Sequence, residues 1–299
     1  MRGDRSLETR LCAKSDLRDK VIKDMIVVNS NKELKELIHQ RIKEQGPNCD
    51  LNDIDVSRVA DMYEMFAESD FNGDISQWDV SGVEDMNSMF RKSKFDGDIS
   101  NWDVSNVKNM YFMFSDSSFN GDISEWNVGN VKDMSFMFVD SAFNGDISQW
   151  NVSNVEDMSA MFLSSRFTGD ISSWDVSKVK DMSFMFEGSN FNGDISDWDV
   201  SSVRDMSFMF TDSIFNGDIS KWNVSNVKNM AHMFRGSKFN GDISGWDIRN
   251  VEDMYGMFRG SKFNGDISSW DVSGTDTRDM FYDSPLEGKE PKWYRRWWM

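Results

Sequence analysis

Nine tryptophans, Trp78, Trp102, Trp126, Trp150, Trp174, Trp198, Trp222, Trp246 and Trp270, stand 24 residues apart without one insertion or deletion between them. A strict period of this length marks a chain whose units bury their apolar faces only against their neighbours. The frame is F-N-G-D-I-S-x-W-D-V-S-x-V-x-D-M-S-x-M-F, as in FNGDISQWDVSGVEDMNSMF at residues 71–90. One period earlier, CDLNDIDVSRVADMYEMF (49–66) reads as a divergent first unit with Ile54 in the tryptophan position. After Trp270 the frame keeps Asp-Val-Ser and then loses register. All three prolines, Pro47, Pro285 and Pro291, lie outside the regular span. Atypical end units are expected of a capped array.

Within a unit the sequence predicts three parts. Gly73–Ser76 reads as a short strand with Ile75 inward and Asp74 and Ser76 outward. Trp78–Ser81 makes a corner. Val83, Met86, Met89 and Phe90 follow helical spacing, with Ser81 as the N-cap. Gly73 relieves a tight spot in the return segment. The fold class is therefore an α/β repeat, an LRR-like solenoid of 24-residue units with a short parallel strand plus a short helix each. Stacked at strand spacing of about 4.8 Å, ten units give an array roughly 45–50 Å long.

Three regions follow: 1–48 as an N-terminal arm and capping strand-helix, 49–284 as the repeats, and 285–299 as a C-terminal cap or tail. In the first, MIVVNSNKELKELIHQRIKEQGPN reads as strand, cap, helix and stop. Asn31 is the candidate N-cap, Leu34, Leu37, Ile38 and Ile42 form the apolar stripe, and Gly46-Pro47 is the terminator. Residues 1–20 show no pattern.

The formal net charge is −18. Residues 51–286 carry 18 Lys/Arg and 40 Asp/Glu, so the repeats hold the acidity. Nucleic acid is excluded as the expected partner, because it requires positive contact. The two cysteines, Cys12 and Cys49, precede the regular repeats and read as free thiols. The charged N-terminus has no apolar core of a signal peptide, and no run is long enough to be a transmembrane segment.

The repeated frame resembles the BspA-like leucine-rich-repeat surface proteins, and more narrowly the Met-Phe/Trp-Asp-Val-Ser repeats of bacterial surface proteins and mycoplasma lipoproteins. The likeness covers about residues 49–284. It implies an LRR-like solenoid, a role in adhesion or protein binding, and neither catalytic residues nor a cofactor. Many relatives have Cys where this chain has Ser93, Ser117 and Ser141. The resemblance implies the cell surface; the lack of an export signal implies a cytoplasmic or particle-associated location.

The tryptophans and the paired methionines, Met86 and Met89 with their equivalents, read as core, each indole N–H reaching a backbone carbonyl. Catalysis needs an asymmetric cluster of acid, base and orienting group, and with only His39 and His232 the chain is expected not to be an enzyme.

Three sets of residues stand out as sites. Asp74, Asp98, Asp122, Asp146, Asp170, Asp194, Asp218, Asp242 and Asp266 form an invariant ladder. At strand spacing adjacent carboxylates repel by about 0.8 kcal/mol even in water. Either backbone N–H donors from the adjacent turn or bound Ca²⁺ must offset that. The varied column before each tryptophan, Gln77, Asn101, Glu125, Gln149, Ser173, Asp197 and Lys221, is where a protein or glycan partner could be read. A second varied column, Ser88, Phe112, Phe136, Ala160, Phe184, Phe208, His232 and Gly256, lies on the helix side, and its four phenylalanines are either a partly exposed contact patch or packed between helices. The tail Trp293, Tyr294, Arg295, Arg296, Trp297 and Trp298 is either a lid over the last repeat or a docking peptide. Two functions are open: a non-enzymatic binding or adhesion solenoid, or a structural scaffold or particle component, a homo-oligomer that self-associates through its ends.

Overall fold

The computed structural model describes residues 25–295. Cys12, residues 1–20, Arg296, Trp297 and Trp298 lie outside the described residues. The regular elements are β1 (Ile26–Val27), α1 (Asn31–Gln45) and β2 (Ile54–Asp55), with β1 and β2 parallel and Ile26 opposite Ile54. Beyond them the described chain is a stack of turns.

The helix expected at Val83–Phe90 does not form. A helix sends each N–H to the carbonyl four residues back. Here alternate N–H groups leave the unit. Met86 donates to the Asn109 carbonyl, Ser88 to Tyr111, Phe90 to Met113 and Lys92 to Ser115, at 2.7–3.0 Å. The intervening N–H groups close turns three residues back, as Met89 does on Met86 at 3.2 Å and Arg91 on Ser88 at 3.1 Å. Ser88 and Lys92 sit at φ 57° and 55°, and the same two positions are left-handed in every unit. Left-handed residues are incompatible with a helix interior. The apolar spacing of three, three and one serves a ribbon of turns as well as it serves a helix.

Ser81 is therefore no N-cap. Its N–H is taken by Asp79 Oδ1 at 3.1 Å, which makes the corner. The strand expected at Gly73–Ser76 is reduced to one parallel bridge, Asp50 to Asp74, and the continuous ladder instead follows Asp61, Asp85, Asn109, Asp133 and their successors.

The core reading holds. Trp78 through Trp270 are 3–5 % exposed. Each indole N–H donates to a carbonyl 27 residues back, Trp102 to Ile75 and Trp126 to Ile99, both at 3.1 Å. Identical aromatics stack on one another, Phe90 on Phe66 and Phe114 at 5.5 and 5.6 Å, and Phe95 on Phe119 at 6.3 Å. Such pairs contribute roughly 0.5–1.5 kcal/mol each beyond area burial. The paired methionines are fully buried beside them. A Cβ at Gly97 would stand 2.7 Å from the Phe95 ring, and the equivalent glycines meet the same clash.

Both ends of the stack are closed by specific contacts. Ser30, not Asn31, caps α1, its Oγ accepting from Glu33 N–H at 3.2 Å. Asn31 has a different task. In the interior, the Asp85-type carbonyl accepts from the unit before it; the first unit has none. Asn31 Nδ2 donates to the Asp61 and Tyr63 carbonyls, both at 3.2 Å. Leu34 and Ile38 are buried, Leu37 and Ile42 partly so, and Gly46 ends the helix at φ 89°. At the other end the register loss is one residue: Phe281 stacks on Phe258, 23 residues back, at 6.0 Å. Trp293 then occupies the next tryptophan slot, its Nε1 on the Ile267 carbonyl at 3.0 Å.

Removing the Asn31 amide leaves two end carbonyls unmatched. Asn31→Ala should lower the unfolding free energy in urea by about 1–2 kcal/mol, whereas a change within a few tenths would show that these contacts do not close the stack.

Candidate functional site

The varied column and the aspartate ladder lie side by side. Gln77, Asn101, Glu125, Gln149, Ser173, Asp197 and Lys221 are all exposed. Several are steadied by their neighbours: Gln77 Nε2 donates to Ser76 Oγ at 3.2 Å, Gln149 Nε2 to Ser148 Oγ at 3.2 Å, and Ser173 Oγ to the Ser148 carbonyl at 2.9 Å. The row thus offers six kinds of polar side chain in seven units from one fixed backbone.

The ladder aspartates are exposed, and each closes its own turn. Asp74 Oδ1 accepts from Ser76 N–H at 2.9 Å, and Asp98 Oδ1 from Ser100 N–H at 3.0 Å and Ser100 Oγ at 2.7 Å. These backbone donors hold the carboxyls of Asp74, Asp98, Asp122, Asp146, Asp170, Asp194, Asp218, Asp242 and Asp266 below the ordinary carboxylate range. At Asp98 the charges of Asp74 and Asp122 act upward, as the smallest influences. The donor is the residue two places on in the same unit, which is an Asx turn. Among the described residues no group of three or more His, Cys, Asp or Glu side chains is placed to hold a metal ion.

The aromatic column does not lie between helices. Phe112, Phe136, Phe184 and Phe208 are half-buried at φ 55–59° and stack in pairs, Phe112 on Phe136 at 4.6 Å and Phe184 on Phe208 at 4.5 Å. His232 continues the second pair at 4.8 Å. Burial, with Arg235 and Arg259 adding to it, pushes the imidazole below its usual range. In the tail, Trp293 and Tyr294 are partly buried against Phe281, Arg295 is exposed, and a groove of about 810 Å³ runs between Trp293 and Trp270.

Two columns that tie the units together do not emerge from the sequence reading. In the first, Asn72 Oδ1 accepts from Asp96 N–H at 2.9 Å and Asn120 Oδ1 from Asn144 N–H at 2.7 Å, tying units along the surface. The second is the residue before the first methionine: Asp85, Asn109, Asp133, Asp157, Asp181, Asp205, Asn229 and Asp253, all half-buried. Asn109 Nδ2 reaches Asp85 Oδ2 at 3.3 Å and Asn229 Nδ2 reaches Asp205 Oδ2 at 3.0 Å, so an asparagine separates charges where it occurs. Asp133, Asp157, Asp181 and Asp205 run without one. Burial raises the Asp133 and Asp181 carboxyls above the ordinary range against the Ser135 and Ser183 donors, and neighbouring aspartates add to the rise. The signal was present in the alternation of Asp and Asn, which marks a site where only one oxygen acceptor is needed.

Asp133 and Asp181 respond to pH with the opposite sign to the surface ladder. A lowered carboxyl contributes stability that is present above the unfolded value and lost as pH falls through the folded one. A raised carboxyl contributes stability that is present at low pH and lost as pH rises through its folded value. Asp181→Asn, which copies the Asn109 arrangement, should therefore raise Tm at pH 7 by roughly 1–3 °C and give no gain once the pH lies below the ordinary carboxylate range. An equal gain at both pH values in calorimetry would show that charge is not the cause.

No curated protein and no solved structure matches this chain. A family model does, at residues 33–142, 117–214 and 188–293, three overlapping matches that span the repeats described above. The chain belongs to the family described as Mycoplasma protein of unknown function, DUF285.

Proposed function

We propose that the stacked repeats form a solenoid of the LRR-like class, allied to the BspA-like surface proteins, and that it is a non-enzymatic binding surface for a protein or glycan. One observation carries this reading: the seven residues from Gln77 to Lys221 are exposed and comprise six residue types, while the tryptophan after each is buried and never changes. A surface that varies over an invariant frame can match an irregular partner. Identical ladder aspartates can match only a periodic one, and their carboxyls are already engaged in turns. Catalysis and a resident cofactor are not part of the reading. Ca²⁺ would enter as a bridge between the exposed oxygens of adjacent ladder aspartates, and a Ca²⁺-dependent rise in Tm would reveal it.

A second reading has its own support. Among the described residues β1 is an edge strand at the end of the array, and Ile26 and Val27 are 39 % and 41 % exposed. Unpaired edge backbone with apolar side chains is a template for another chain, as a scaffold self-associating through its ends requires. Among the described residues no helix is long and apolar enough to cross a membrane.

The test is binding of the labelled chain to arrayed glycans and immobilised matrix proteins, beside a variant with Gln77, Asn101, Glu125, Gln149, Asp197 and Lys221 changed to Ser. Selective signal lost in the variant at unchanged Tm is the expected result. Retention of that signal would contradict the surface reading. Light scattering addresses the scaffold: a monomer at every concentration eliminates it, and an oligomer dispersed by Ile26→Lys supports it.

A further inference from the structure

The position of Glu84 recurs as Lys108, Lys132, Glu156, Lys180, Arg204, Lys228 and Glu252. Backbone bonds hold this column rigidly: Lys180 N–H to the Glu156 carbonyl, Arg204 to Lys180 and Lys228 to Arg204, each at 2.8 Å. Side chains pair where a carboxylate is adjacent. Lys108 meets Glu84 at 2.7 Å, Lys180 meets Glu156, and Lys228 meets Glu252 at 3.1 Å. Arg204 is the exception. Its neighbours above and below are lysines, and among the described residues its guanidinium has no ion pair. Lys178 joins it from the adjacent column, its Nζ on Asn154 Oδ1 at 2.6 Å and not on a carboxylate. These four cations line one groove of about 610 Å³ with Ser202 and Asn226, against the single carboxylate of Glu156.

A ladder built only for ion pairing would place glutamate at Arg204. In a chain of net charge −18, four cations against the two carboxylates of Glu156 and Glu252 leave Arg204 and Lys178 uncompensated, a local site of opposite sign to the rest. We propose that this groove binds a small polyoxyanion, a saccharide or polyol bearing two or three sulfate or phosphate groups. Arg204 offers a planar fork for one oxyanion. Lys180 and Lys228, roughly 10 Å apart at strand spacing, take one on either side. The Ser202 hydroxyl and the Asn226 Oδ1, whose Nδ2 is fixed on the Ser201 carbonyl at 2.7 Å, serve the carrier's hydroxyls. Glu156 and Glu252 bound the run, so a long polyanion such as nucleic acid would have to cross carboxylates at both ends. The site uses none of the residues of the Gln77 row and stands whether or not that row binds a partner.

Calorimetric titration of the intact chain with inositol hexakisphosphate, a sulfated tetrasaccharide, inorganic phosphate and a long single-stranded DNA tests this. One saturable site for at least one of the first two is expected, with the tighter of them assigning the oxyanion, and with inorganic phosphate and DNA weaker. Arg204→Gln should weaken that site about tenfold at unchanged Tm, while the double change Lys108→Gln and Lys132→Gln leaves it intact. The proposal is overturned by absence of binding to both polyoxyanions, by Arg204→Gln binding like the parent, by equal loss in the double variant, or by DNA binding most tightly.

Discussion

The structure depends on where one set of backbone N–H groups goes. In each unit the groups of the Met86, Ser88, Phe90 and Lys92 positions cross to the carbonyls of the next unit, and the groups between them close turns on their own chain. From Met86 to Ser93 every main-chain N–H has a partner, which is the condition for burying irregular backbone. The crossing sets the spacing, and the spacing brings like side chains face to face. Phenylalanines stack on phenylalanines and tryptophans reach the carbonyl one unit back. The same register brings aspartates together, and so each aspartate column needs its own relief, by turn donors on the surface and by occasional asparagine inside.

Much of this was legible in the sequence, and the failures have a physical cause. The 24-residue period, the buried indoles with their carbonyl partners, the glycine's tight spot, the N-terminal helix and its Gly46-Pro47 stop follow from residue type and spacing alone. The helix in each unit does not follow, because Val83, Met86, Met89 and Phe90 present the same apolar pattern to a helix and to consecutive turns. What separates the two is φ above zero at Ser88, Phe112 and Phe184. Sequence reading expects glycine there, and the array supplies it only at a few positions such as Gly188 and Gly256. Tertiary stacking holds large side chains in a conformation their own preference disfavours.

The candidate surface was partly legible for a related reason. Residues such as Gln77 and Lys221 vary because their side chains are exposed and pack into no core, so variation between copies within one chain marks exposure. Cooperation between columns is not visible that way. Arg204 draws its meaning from Lys180 and Lys228, 24 residues away on either side, and Asn31 from two carbonyls 30 and 32 residues downstream. The interior Asp85 column was hidden because Asp before an apolar turn reads equally as a surface cap.

Membership in a family of repeat proteins fits a design in which the frame is copied and the surface is edited. The central claim is the crossing itself, and long-range NMR couplings through hydrogen bonds observe it directly. In the deuterated protein the Phe138 amide should show a coupling to the carbonyl carbon of Met161, its partner at 3.0 Å in the next unit. A coupling from Phe138 to the carbonyl of Met134, four residues back, would mean that each unit carries a helix and would contradict the account.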